Sequence, residues 1–174
     1  MENSNKQLIV FEGGIPPRRV KGDKDYIYPV EIYIPPKFAV TDVLLGVDVP
    51  VKGAKVSVGI KDNVDFFLKD IDVSTIGPRD GMPIFDKEGN ILSVGYGPGL
   101  CHVTTKEEPT YRKAKKTGDP DVKTGVKTTV LSFMKKNCLT AEREKLYMKI
   151  PKECSMDNTP NGLRAMIYVV GIQT

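Results

Sequence analysis

The chain predicts an all-β fold, a β-sandwich or jelly-roll-like barrel with at most one short helix. Three observations carry this. Short runs of β-branched and aromatic residues recur throughout the 174 residues, 16 Gly and 13 Pro punctuate them, and several runs alternate apolar and polar side chains with the two-residue period of a half-buried strand. The length suits one compact domain carrying an extended arm.

Residues 1–25 read as that N-terminal arm. One apolar run, Leu8-Ile-Val-Phe11, leads to Gly13-Gly14-Ile15-Pro16-Pro17-Arg18-Arg19-Val20-Lys21, a segment too small to build its own core. Proline removes backbone donors and favours extended geometry, so Ile15 to Lys21 should lie flat on its own domain or on a neighbour.

Residues 26–174 then form a single β-sandwich domain with a loop-rich insertion around 76–123. The stretch from Tyr26 to Ile34 places Val30, Ile32 and Ile34 on one face, and Pro35-Pro36 ends it. From Val40 to Val49 the shared face is Thr41, Val43, Leu45, Val47 and Val49; from Lys55 to Ile60 it is Val56, Val58 and Ile60. Phe66 to Val73 has an ambiguous period, strand or short helical turn, that lays Phe66 or Phe67 into the core.

Glu88-Gly89-Asn90, between Ile84-Phe85 and Ile91-Leu-Ser-Val94, has hairpin-loop composition. Cys101 to Thr105 adds a strand, Lys106 to Lys123 is polar enough for a long exposed excursion, and Val126 to Met134 returns to strand composition. Thr140 to Met148 fits a helix capped by Thr140 with Glu142 and Glu144 in its first turn. It fits a strand equally well, since Leu146, Met148 and Ile150 alternate. Leu163 to Ile172 is apolar on both faces and predicts a central strand or a subunit contact. The expected total is seven to nine strands.

Material for catalysis is sparse. His102 is the lone histidine, and although Cys101 precedes it, adjacent strand residues point to opposite faces and cannot easily exchange a proton. Cys101, Cys138 and Cys154 are odd in number and form no C-x-x-C unit, so buried free thiols are expected. Gly95-Tyr-Gly-Pro-Gly99 lacks the pattern of a phosphate loop and reads as a flexible turn, and the acidic pairs Asp62/Asp65 and Asp70/Asp72 lack the spacing of a calcium loop. No catalytic, cofactor or metal residue is therefore assigned.

Net charge is +4, which permits an acidic partner but falls short of a dedicated nucleic-acid binder. The densest positive run, Tyr111-Arg-Lys-Ala-Lys-Lys116, reads either as a contact for phosphates or acidic surfaces or as a solvated loop. No apolar stretch reaches bilayer length and the polar start lacks a secretion-signal core, so folding in a cytoplasm is expected, without membrane contact.

The block from Ile32 to Val49, containing Val40-Thr-Asp-Val43, followed by Lys55-Val-Ser-Val-Gly-Ile60 and Phe66-Phe-Leu-Lys-Asp-Ile-Asp-Val-Ser-Thr75, resembles small structural proteins of tailed bacteriophages. The resemblance implies a capsid decoration, or cement, protein: a non-enzymatic, often oligomeric β-sandwich on the outside of a phage head that clamps neighbouring major capsid subunits. It implies assembly in the host cytoplasm, the major capsid protein as partner, self-association as a dimer or trimer, and no specific nucleic acid. On this reading Ile15, Arg18, Arg19 and Lys21 of the arm are the capsid contacts, the arm adding a strand to a neighbour's open edge. Two other classes compete: a sugar-binding or adhesive sandwich of a tail or fibre, stacking Tyr26, Tyr28, Tyr33, Tyr96 or Tyr111 on a ligand, and a small-molecule enzyme on a barrel scaffold.

Overall fold

A computed structural model describes residues 8–15, 25–154 and 162–174. The alternating runs become antiparallel strands in the order β1 (Leu8–Ile15), β2 (Tyr26–Ile34), β3 (Phe38–Val49), β4 (Lys55–Ile60), β5 (Asn63–Asp72), β6 (Gly77–Arg79), β7 (Ile84–Phe85), β8 (Ile91–Ser93), β9 (Cys101–Arg112), β10 (Val122–Lys135), β11 (Cys138–Leu139), β12 (Glu144–Ile150) and β13 (Arg164–Gln173). The only helical element among the described residues is one 3-10 turn, Lys152–Cys154. The expected count of seven to nine strands was too low because β1 was read as part of the arm and β6 and β11 hold only three and two residues, too short to show a period, while the hairpin expected around Gly89 is present as β7 and β8.

Two sheets enclose the core. One runs β1-β13-β3-β11, with β6 also paired to β3, and the other runs β2-β12-β4-β5. Their inner faces meet in one buried cluster: Val43, Leu45, Val47, Ile167 and Val169 from the first, Val30, Ile32, Ile34, Val56, Val58, Leu146 and Met148 from the second. This is the sandwich alternative; no barrel closes among the described strands.

The face assigned to β3 holds only in part. Val43, Leu45 and Val47 are buried, but Thr41 is half-buried and Phe38 and Val40 take the core positions before it. A register shift opposite Val170/Gly171 skips Thr41 and flips the alternation. Gly171 makes this possible, since a Cβ there would lie 2.4 Å from the Phe38 ring.

The 140–150 segment is a strand, not a helix. Leu146, Met148 and Ile150 face the core while β12 pairs with both β2 and β4. Thr140 caps nothing helical: its buried hydroxyl donates to the Pro35 carbonyl at 2.6 Å and accepts from the Phe38 amide at 3.0 Å, fastening the chain before β12 to the β2–β3 turn. Phe66 to Val73 lies mostly in β5, with Phe67 and Leu68 fully buried. The apolar closing segment is a central strand, β13, flanked by β1 and β3.

Leu8–Ile15, placed by the sequence in the extended arm, pairs along its whole length with β13 of the same chain, from Leu8 opposite Ile172 to Ile15 opposite Ala165. One edge of this strand is thus taken by the chain's own β13, and β1 forms the outer strand of that sheet. Arg18, Arg19 and Lys21 lie outside the described residues.

Candidate functional site

Two strand pairs stand apart from the sandwich sheets, the short β7–β8 hairpin and a much longer ribbon. The predicted exposed excursion is a long two-stranded ribbon, β9 paired only with β10, spanning about 40 Å at about 3.3 Å per residue. Val103 and Phe133 at its root pack against the core, whereas from Thr104 to Pro109 and from Val122 to Thr129 every residue is exposed. Apolar side chains stay in solvent along it: Tyr111 is 57% exposed, Val122 54%, Val126 53%, Leu131 59% and Met134 67%.

A polar hub fixes the root. The Tyr96 hydroxyl donates to Asp42 Oδ1 at 2.9 Å, and Lys135 Nζ reaches both Asp42 Oδ2 at 2.8 Å and the Tyr96 oxygen at 3.2 Å. Lys135 Nζ also lies 4.7 Å from the centre of the Tyr96 ring, which stacks near Phe133. Burial, reinforced by Asp42, pushes the Tyr96 hydroxyl up to about 12 against the opposing pull of Lys135. Burial lowers the Lys135 ammonium, but its bonds to Asp42 and Tyr96 outweigh that and leave it raised. Tyr96 therefore holds its proton and Lys135 its charge, tying β3 to β10.

Gly95-Tyr-Gly-Pro-Gly99, read as a flexible turn, is an ordered strip along the outer edge of β5. Lys69 N donates to Gly95 O at 2.7 Å, Gly97 N to Phe67 O at 2.9 Å and Gly99 N to Phe66 O at 2.8 Å. The strip covers a strand edge that would otherwise stand open. Gly97 is required for that approach: a Cβ there would sit 1.8 Å from the Asp65 carbonyl. The spacing of the glycines was visible in the sequence; the strand they lie against was not.

Between this strip and the ribbon root runs a groove of about 420 Å³. Its apolar surface comes from Val94, Val103 and Val130, and its polar lining includes Lys69, Lys136 and His102, with no carboxylate. A larger groove of about 620 Å³ beside β6 and β7 mixes Lys55, Lys69 and Arg79 with Asp70, Asp72 and Asp80. Its charges already serve local turns, since Asp72 accepts from the Ser74 amide, Asp80 from the Met82 amide, and Arg79 donates to the Pro78 carbonyl. The backbone N–H of Ser74 is the main reason the Asp72 carboxyl is held below its ordinary range.

The remaining candidates separate. Cys101 points inward, its Sγ donating to the Tyr96 carbonyl at 3.1 Å, and burial pushes its thiol up; His102 next to it is exposed, so the two form no nucleophile–base pair. Cys101 and Cys154 are buried and Cys138 is half-buried. Among the described residues no three acidic, His or Cys side chains come together as a metal site. Of the tyrosines considered for ligand stacking, Tyr28 and Tyr96 are buried, and the Arg143 guanidinium lies 4.2 Å from the Tyr33 ring centre, so only Tyr26 and Tyr111 present open rings. No residue before the strip was singled out by sequence for the groove; Lys69 and Lys136 carried no local pattern that could have found them.

No protein-family model, curated protein or solved structure matches this chain.

Proposed function

We propose that the chain is a non-enzymatic structural protein of the phage capsid decoration type, which binds the outside of an assembled shell and holds neighbouring major capsid subunits together. The β9–β10 ribbon carries the reading. A two-stranded ribbon alone is marginally stable in water, so one this long, anchored at its root and exposed beyond it, is best explained by a partner surface. Attachment is assigned to this ribbon because it stands exposed beyond its root, whereas Leu8–Ile15 is built into the chain's own sheet as the outer neighbour of β13. The resemblance of Ile32 to Thr75 to tailed-phage structural proteins supplies the partner class. Repeated weak contacts across a shell would add avidity, and binding only to the assembled form would stabilise it by mass action.

The test is co-sedimentation with shells assembled from the major capsid protein of the same virion. The full chain is expected to pellet with shells and not with unassembled subunits. A chain that stays in the supernatant overturns the proposal.

A further inference from the structure

Resting on that docking role, we propose that the groove at the ribbon root receives an extended acidic segment of the partner protein, its carboxylates toward Lys69, Lys136 and His102 and its apolar side chains on Val94, Val103 and Val130. Charge segregation points to this occupant. The stretch 101–136 carries nine Lys and Arg against four Asp and Glu, a balance of +5, while the rest of the chain sums to −1. The positive character of the protein is thus concentrated in this stretch, and the groove at its foot carries Lys69 and Lys136 with no carboxylate.

The ribbon's register adds a second argument. The face that begins in the core with Val103 opposite Phe133 continues into the groove as Thr105 opposite Val130, and the apolar line ends where Glu107 stands opposite Thr128. An extended segment also alternates its side chains with a period of two, so one set can follow this apolar line while the other meets the lysines. A nucleic-acid backbone fits less well. Beyond the root the ribbon offers one aromatic ring, Tyr111, so it lacks the stacking platform on which bases are held.

The proposal is tested on the full chain by fluorescence anisotropy with three labelled probes: a short peptide alternating Glu and Val, its Lys/Val counterpart, and an oligothymidylate. The Glu/Val peptide should bind at least roughly tenfold tighter than the other two and weaken as salt rises. The double variant Lys69→Glu/Lys136→Glu should lose roughly tenfold in that affinity. Both side chains are exposed, so its thermal midpoint should stay unchanged. Equal binding of the two peptides, tighter binding of the oligothymidylate, no binding at all, or a variant that binds normally would each overturn it. Shell sedimentation separates the two ideas: if the double variant still pellets with shells, the groove assignment fails and the decoration reading survives; if the peptide binds but the full chain never pellets, the reverse holds.

Discussion

The β3–β13 pair and the β9–β10 pair are ribbons of similar length with opposite surroundings. In the first, Val43, Leu45, Ile167 and Val169 are fully buried; in the second, Val126, Leu131 and Met134 are more than half exposed. Stability of the first comes from apolar area removed from water, while the second depends on its backbone ladder and on the Tyr96–Asp42–Lys135 clamp at its foot. The same kind of ladder thus builds a core in one place and a presented surface in another, and only what covers it differs.

The sharpest way to break this contrast is to truncate equivalent residues on the two ribbons. Leu45→Ala or Ile167→Ala should cost about 2–5 kcal/mol in urea unfolding, whereas Leu131→Ala should cost less than about 0.5 kcal/mol. A comparable loss at Leu131 would mean the ribbon is packed against the body after all. Next in size is Gly97→Ala, expected to cost about 1–3 kcal/mol by pushing the strip off β5, with amide exchange rising at Lys69 and Gly97.

Tyr96→Phe removes the hydroxyl from the clamp and should cost about 0.5–1.5 kcal/mol. It also has a pH signature. Tyr96 keeps its proton up to about 12 in the folded state against an ordinary value of 10.0, and Lys135 is raised as well, so the native state binds more protons than the unfolded state above pH 10. Stability should therefore fall as pH rises from 10 toward 12, with a shallower fall in Tyr96→Phe, measured by unfolding across that range. The smallest effect should come from replacing residues 105–130 with a tight turn: the thermal midpoint should barely move, because that deletion leaves the core cluster intact.

Much of the body was legible in the sequence because one-sided burial forces alternation, as in Val30, Ile32 and Ile34 or Leu146, Met148 and Ile150. Where alternation is locally broken, reading fails: the shift at Thr41 moved Phe38 and Val40 into the core, and no residue type marks it. The Thr140 segment carried helix-capping chemistry that the tertiary fold redirects into a tie between Pro35 and Phe38. The ribbon was recognisable as exposed from its polarity, yet its pairing was hidden, since β9 and β10 have no core face beyond the root to impose a pattern. The groove was the least legible feature, assembled from Lys69, Val94 and Lys136, which are distant in sequence and individually unremarkable.

The most direct measurement is hydrogen–deuterium exchange of the full chain, alone and mixed with assembled tailed-phage shells. The account predicts that shells slow exchange along β9 and β10 and around the Gly95–Gly99 strip, leaving the already protected β3 and β13 unchanged. New protection confined to Leu8–Ile15 or the β2 edge, with the ribbon exchanging as freely as before, would contradict it.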